Sequence, residues 1–203
     1  MIRLDDRLAA AASFVRLDRR ICDVGTDHAL LPCFLCEQGA RDIIASDVNE
    51  MPLESARANI EKYGFSDRIR LMRSDGLAEI PPRDDVIIAG MGGELIARIV
   101  GGCTFVTSDT HFILQPMTRA EHLRRFLYGN GYEISGEKGA YSAGKAYTVM
   151  LVTYTGEKRG ISDEFAYFGK CADPRYIMKV NGQLEKLGRS DPSLLRIIRK
   201  ETP

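Results

Sequence analysis

Short apolar runs alternate along the chain with longer segments in which apolar residues recur every three or four positions. RICDV, DIIASDV, RIRLMRSD, DDVIIAGMGG and HFILQP are of the first kind and predict buried strands. ALLPCFLCEQG, MPLESARANIEKYG, ELIARIV and TRAEHLRRFLYGNGY are of the second kind and predict helices. Gly39, Gly64 and Gly129 or Gly131 supply the stops for three of them. Strands alternating with helices make βαβ units, and hence a mostly parallel sheet covered on both faces. RLDDRLAAAASFV adds a helix before the first strand. YEISGEKGAYSAGKAYTVMLVTY contains two strands with no helix between them, which predicts an antiparallel hairpin at one edge of the sheet. No internal repeat or low-complexity segment interrupts the pattern.

The chain has 203 residues, 44% of them hydrophobic, enough to bury a full core. We read residues 1–155 as one domain and 156–203 as a helical C-terminal extension of two or three short helices, with Pro174 and Pro192 near helix starts. Lysine plus arginine (28) balances aspartate plus glutamate (28), so no global basic field points to a polyanion. The balance is uneven, because residues 156–203 carry ten basic and seven acidic groups. The tail is therefore the part expected to meet phosphates, the alternative being a solvated helical pair that only packs or dimerises. No run approaches the ~18 apolar residues of a membrane span. The acidic N-terminus does not resemble a secretion signal, and five cysteines without framework spacing fit reduced thiols in a cytoplasm. Cys33 and Cys36 form a C-x-x-C in an apolar stretch with no second ligand pair, which reads as two buried helix residues rather than a metal site. A monomer or weak dimer without an obligatory metal is expected.

In a sheet of this kind ligands bind outside the carboxyl ends of the strands. Those ends carry Asp23–Gly25–Asp27, Asp47, Asp75–Gly76, Ala89–Gly93 and Gln115–Pro116, in strand order. Asp47, followed by Val48, lies 22 positions beyond Gly25, the spacing at which an acid accepts hydrogen bonds from a ribose diol. A dinucleotide is disfavoured, because a pyrophosphate needs a second glycine for close backbone approach and this loop has Asp27 nearby. A carboxylate beside a dianion in a partly desolvated pocket is repelled by several kcal/mol. No G-K-[ST] exists for a P-loop. The cofactor should thus contain a ribose, lack phosphate and carry positive charge: S-adenosylmethionine fits, with Asp75 accepting from its adenine amine. For each acid the competing reading is helix capping or an ordinary turn, but three strand ends bearing acids together favour a methyltransferase-type pocket.

DVGTDHALLP, ASDVNEMPLESARANI, RSDGL, IIAGMGGELI and FILQP, in that order and spacing, resemble the bacterial tRNA (adenine(22)-N1)-methyltransferase family, the TrmK type, over roughly residues 3–153. The resemblance implies a class I, Rossmann-like methyltransferase with a seven-stranded sheet, S-adenosylmethionine as cofactor, tRNA as partner and a helical tail that helps hold it. The tail is shorter here than that of the family. The resemblance also places Arg7 of the opening helix near the cofactor's carboxylate. N1 of adenine is engaged in pairing within a duplex, so the base must be unpaired or flipped out. The methylated ring is cationic, and a carboxylate near the base would stabilise that charge or take a proton from the N6 amine. Asp27 is the candidate for this role and Asp23 for the cofactor's amino group, with the opposite division as the alternative.

After the fourth strand the chain has Ala89-Gly90-Met91-Gly92-Gly93 where exocyclic-amine methyltransferases often carry [DNS]-P-P-[YFW], which argues against N6 chemistry. Ala89 and Gly90 are assigned to the cofactor, with Gly92 and Met91, as an apolar wall, on the substrate side. A tight strand-to-helix turn would account for one or two of the glycines. His28, Gln115 and Pro116 complete the substrate candidates; Lys145 and Tyr147 could line the RNA side, although Tyr147 reads better as core. Two other readings compete: a methyltransferase for another RNA position, a small molecule or a protein, the basic tail being dispensable in the last two cases, and a non-catalytic nucleoside- or RNA-binding module, against which the intact acid set speaks.

Overall fold

Alternating apolar positions in the central strands divide the interior into two cores, one on each face of a single sheet. In the computed structural model, which describes residues 2–199, the chain forms α1 (Asp6–Ala12), β1 (Ile21–Val24), α2 (Leu30–Glu37), β2 (Ile43–Asp47), α3 (Glu50–Tyr63), β3 (Ile69–Arg73), β4 (Asp85–Gly92) and α4 (Gly93–Gly101). There follow β5 (His111–Thr118), α5 (Ala120–Gly129), β6 (Tyr132–Ser142), β7 (Lys145–Tyr154), α6 (Asp163–Phe168), α7 (Pro174–Leu187) and a 3-10 turn, Pro192–Ile197. Val86 and Ile88 of β4 with Phe112 of β5 meet α4 and α5 on one face. Ile87 and Ile113, one residue along, meet α2 and α3 on the other.

The sheet order is β3-β2-β1-β4-β5-β7-β6. The five strands from β3 to β5 run parallel. β7 is antiparallel to both β5 and β6, so the edge pair forms as expected, with β7 inserted between its two neighbours. The helix stops also fall where the glycines stand: Gly64 follows α3 with φ +74°, free of the penalty a side chain would meet there. The opening helix is shorter than its apolar pattern, because Asp5 caps it by accepting from Leu8 N and the helix ends before Ser13.

β7 ends at Tyr154 and α6 begins at Asp163. In the extension Phe168, Cys171, Tyr176, Val180 and Leu184 share a small core with Ala146 of β7. Pro174 stands in the first turn of α7, behind Asp173, whose side chain accepts from Arg175 N and Tyr176 N.

A buried charge cluster joins extension and sheet. Arg124 of α5 and Glu137 of β6 both have 0% exposed side chains and pair at 2.5 Å. Arg124 also donates to the carbonyls of Ala166 and Tyr167 and to the Tyr176 hydroxyl. Glu137 accepts from Thr148 Oγ1 and from Lys170 N.

Candidate active-site cleft

From β1 the chain moves one way across the sheet, to β2 and β3; from β4 it moves the other way, to β5. The crevice outside the carboxyl ends of β1 and β4 is therefore the topological switch point. A cleft of about 410 Å³ opens there, its walls including Arg7, Asp23, Gly25, Asp27, His28 and Gly90. A groove of about 750 Å³ at the opposite ends of β2 and β3 is lined by arginines, among them Arg41, Arg57 and Arg83, and lies away from all the strand-end acids.

The loop after β1 is tied to β2, because Gly25 N and Thr26 N both donate to the Ser46 carbonyl, at 2.8 and 2.9 Å. Gly25 is required twice over: its φ is +78°, and the Met91 methyl lies where a β-carbon would stand. Ala29, at φ 51°, then turns the chain into α2, with no side chain capping the helix. Holding a non-glycine residue in this left-handed region costs about 1 kcal/mol or more, and such strain tends to persist at functional sites. The uncapped first turn leaves backbone N–H groups beside Leu30 and Leu31 on the cleft wall. Asp27 and His28 project outward, 77% and 54% exposed, their side chains 3.3 Å apart.

Asp23 is the opposite case. It is only 7% exposed, and burial pushes its carboxyl up to about 6, against a hydrogen bond from Thr26 that favours the ionised form. No lysine, arginine or histidine among the described residues pairs with it. Arg7 shares the cleft but is held elsewhere: it pairs with Asp5 at 2.7 Å and donates to Gln115 Oε1 at 3.0 Å. The same oxygen accepts from Gly90 N at 3.1 Å, and Gln115 Nε2 donates to the Pro116 carbonyl. Gln115 thereby aligns Arg7 with Gly90, where β4 bulges against β5 and φ is +83°.

The acids of the outer strands lie further along the same sheet edge. Asp47 accepts from Asn49 N at 2.8 Å, in the turn that leads into α3, and Val48 beside it is 48% exposed. Asp75 is 67% exposed and stands 3.5 Å from Arg98. Neither these two nor Asp23 serves as a helix N-cap: α2 and α3 start at Ala29 and Asn49, without a side-chain bond.

A methyltransferase-domain family matches residues 4–150. The tRNA (adenine(22)-N(1))-methyltransferase of Bacillus subtilis strain 168 is 35% identical over 154 residues, which are 74% of this chain and 65% of that protein. The chain thus spans just under two thirds of that relative. A candidate tRNA (m1A22) methyltransferase of Streptococcus pneumoniae, solved in complex with S-adenosyl-L-methionine, superposes with a TM-score of 0.84 at 33% identity over 97% of this chain and 96% of that one. TrmK of M. capricolum, in complex with S-adenosyl-homocysteine, superposes with a TM-score of 0.80 at 25% identity over 96% and 92%. The chain belongs to the tRNA (adenine(22)-N1)-methyltransferase family.

Of the residues singled out in the sequence, the methyltransferase cleft gathers Arg7, Asp23, Gly25, Asp27, His28, Ala89 and Gly90. Asp47, Val48, Asp75 and Gly76 sit at the ends of β2 and β3, outside its walls. The structure places the four substrate-side candidates of strands β4 and β5 as follows. Gln115 is fully buried, with both amide atoms committed inside the protein, and so offers no edge to a base. Pro116 is buried behind it. Met91 is half-buried with its methyl on Gly25, itself part of the cleft wall, and Gly92 is the N-cap position of α4. Gly93 has a structural cause, since a β-carbon there would run into the Arg119 carbonyl. Tyr147 is core, 5% exposed, beneath the Arg7 guanidinium. Cys33 and Cys36 are buried on α2, with thiols pushed up to about 12 and about 11 by burial. Thr26, Leu8 and Met117 line the cleft without having been expected there. Thr26 was legible, lying between two acids in the glycine turn; Met117 carried no signal beyond its place after Pro116.

Proposed function

We propose that the protein transfers a methyl group from S-adenosylmethionine to N1 of an adenine in tRNA, at position 22, as a cytoplasmic enzyme. One observation carries the cofactor assignment: a buried carboxylate without a cation partner among the described residues, Asp23, shares its cleft with the Arg7 guanidinium. An α-amino acid end group supplies the cation for the first and the carboxylate for the second, and it brings no phosphate to oppose Asp27.

S-adenosylmethionine supplies an electrophilic methyl group on a sulfonium. The chain's own part is to bind and align. Asp23 receives the amino group, Arg7 and the uncapped start of α2 the carboxylate, Asp47 the ribose diol and Asp75 the adenine amine, while Gly25 and Gly90 let backbone approach closely. Asp27 faces the incoming base, where its charge offsets the positive charge that develops on the ring. It is placed for this because it is exposed at the cleft mouth while Asp23 lies beneath it. The basic extension holds RNA phosphates, which position a substrate without reading its sequence.

The test is methyl transfer from labelled cofactor to bulk tRNA, with the modified position mapped by reverse-transcription arrest. Incorporation at adenine 22 is expected; robust cofactor binding without incorporation into tRNA would sink the assignment. Asp27→Ala should bind cofactor normally and lose about 100-fold or more in turnover, within the range for a positioned acid or base. Undiminished turnover would remove Asp27 from the chemistry.

A further inference from the structure

Beside the cofactor cleft lies a second cavity, of about 250 Å³, closed jointly by the sheet domain and the extension. The end of β5 and the start of α5 supply Pro116 to Glu121; α6 and α7 supply Tyr167, Tyr176, Lys179 and Gln183. Met117 belongs to the walls of both cavities, so the two adjoin there. The junction is held rigid, because Arg124 fastens both the Tyr167 carbonyl and the Tyr176 hydroxyl to the sheet domain.

The polar groups here are only partly committed. Gln183 is half-buried, and its amide makes no hydrogen bond among the described residues. Glu121 has a side chain only 15% exposed, and its nearest cation, Arg119, stands 3.8 Å away. Lys179 Nζ donates once, to the Ala146 carbonyl at 2.7 Å, and keeps further donors. Arg119 enters α5 in the left-handed region, φ 58°, on the wall of the cavity. Flat surface from the half-buried Tyr167, a free amide and a carboxylate for a hydrogen-bonding edge, and an ammonium for a phosphate together describe a nucleotide site. A phosphate alone does not fit, since Glu121 would oppose it.

We propose that this junction cavity holds the base of a nucleotide adjoining the methylated adenine in the RNA. The inference rests on the tRNA-methyltransferase reading and adds to it a second, recognising position. The occupant is the neighbour, not the target, on a distance argument: reacting atoms must approach to ~3–3.5 Å, and this cavity shares only Met117 with the walls of the cofactor cleft. Gln183 and Glu121 read the edge of the base, Tyr167 offers it a face, and Lys179 meets its phosphate.

The test uses the full chain carrying Gln183→Ala or Tyr167→Ala, with thermal melts to exclude misfolding; Gln183 is half-buried and contributes no hydrogen bond to the fold. The measurements are kcat and KM on tRNA, cofactor affinity by calorimetry, and tRNA binding by anisotropy. Each variant should raise KM and weaken tRNA binding about tenfold, with cofactor affinity within twofold of the parent. An abasic residue next to the target should cost the parent about tenfold in KM and cost the Gln183→Ala/Tyr167→Ala double variant nothing further. Changes under twofold in tRNA binding, or an abasic penalty that persists in full in the double variant, would overturn the proposal. A parent that binds cofactor but methylates no tRNA defeats the function proposed above instead, and the anisotropy arm still reads the cavity directly.

Discussion

Two buried charged sites in this protein are built on opposite plans. Arg124 and Glu137 are both fully enclosed, yet each is surrounded by partners: two carbonyls and a tyrosine hydroxyl for the cation, a threonine hydroxyl and a backbone N–H for the anion. Asp23, nearly as enclosed, has a threonine for company and no counter-charge among the described residues. Taking a charge out of water costs several kcal/mol, and only a paired, hydrogen-bonded geometry recovers it. The first site carries its own counter-charge, with Arg124 Nε alone among its groups left without a partner among the described residues, and it serves architecture, welding the extension to the sheet. The second has no counter-charge among the described residues, and the proposed ammonium group of the cofactor would supply one.

Breaking the paired site should have the largest effect. Arg124→Met leaves Glu137 buried without its cation, a change that typically costs about 3–5 kcal/mol. Chemical denaturation should show that loss, together with faster proteolysis between residues 155 and 162. Adding Glu137→Leu should restore much of the stability, since an apolar pair of similar volume can replace a buried ion pair.

The site without a counter-charge should respond with the opposite sign. A carboxyl raised to about 6 in the fold from its ordinary 3.8 contributes stability that is full below pH ~4 and lost as pH rises through ~6. At neutral pH the ionised Asp23 therefore burdens the ligand-free protein, and Asp23→Asn should stabilise it by up to about 3 kcal/mol there while leaving it unchanged near pH 4. A thermal-melt series across pH 4 to 8 that shows equal slopes for both proteins would refute this.

Cofactor binding sharpens the contrast. If an ammonium group completes the site, affinity for S-adenosylmethionine should fall about tenfold per pH unit below ~6 and level off above it. Asp23→Asn should bind more weakly with a flat profile; titration calorimetry at pH 5, 6 and 7 decides. The smallest effect belongs to an exposed acid. Asp75, 3.5 Å from Arg98 with both side chains 67% exposed, makes an ion pair worth under about 1 kcal/mol. Asp75→Asn should leave the melting temperature within a degree or two and alter only cofactor affinity.

The alternation of strands and helices was legible because most apolar runs are bounded by a glycine or an acid, and Gly39, Gly64 and Gly131 all adopt positive φ. Asp23, Asp27, Asp47 and Asp75 were legible as a set because strand ends can be counted along the chain. Gln115 shows where legibility ends: its position at a strand end is visible, but not that Arg7, from a helix 108 positions away, claims its oxygen. Arg124 shows the same limit. In TRAEHLRRFLYG it reads as one of several solvated arginines, and only the docking of α6 and α7 turns its face of α5 inward.

The amino-acid sequence by itself determined the α/β class, the phosphate-averse glycine turn and the acids at three strand ends, because these depend on local pattern and on which charges a turn can tolerate. The tertiary structure alone decided which acid is desolvated, which arginine is shared, and that two cavities adjoin at Met117. Burial and partnership are relations between distant segments: Asp23 and Asp27 are four residues apart and bear the same side chain, but the first lies on β1 between β2 and β4 and the second in the exposed loop beyond.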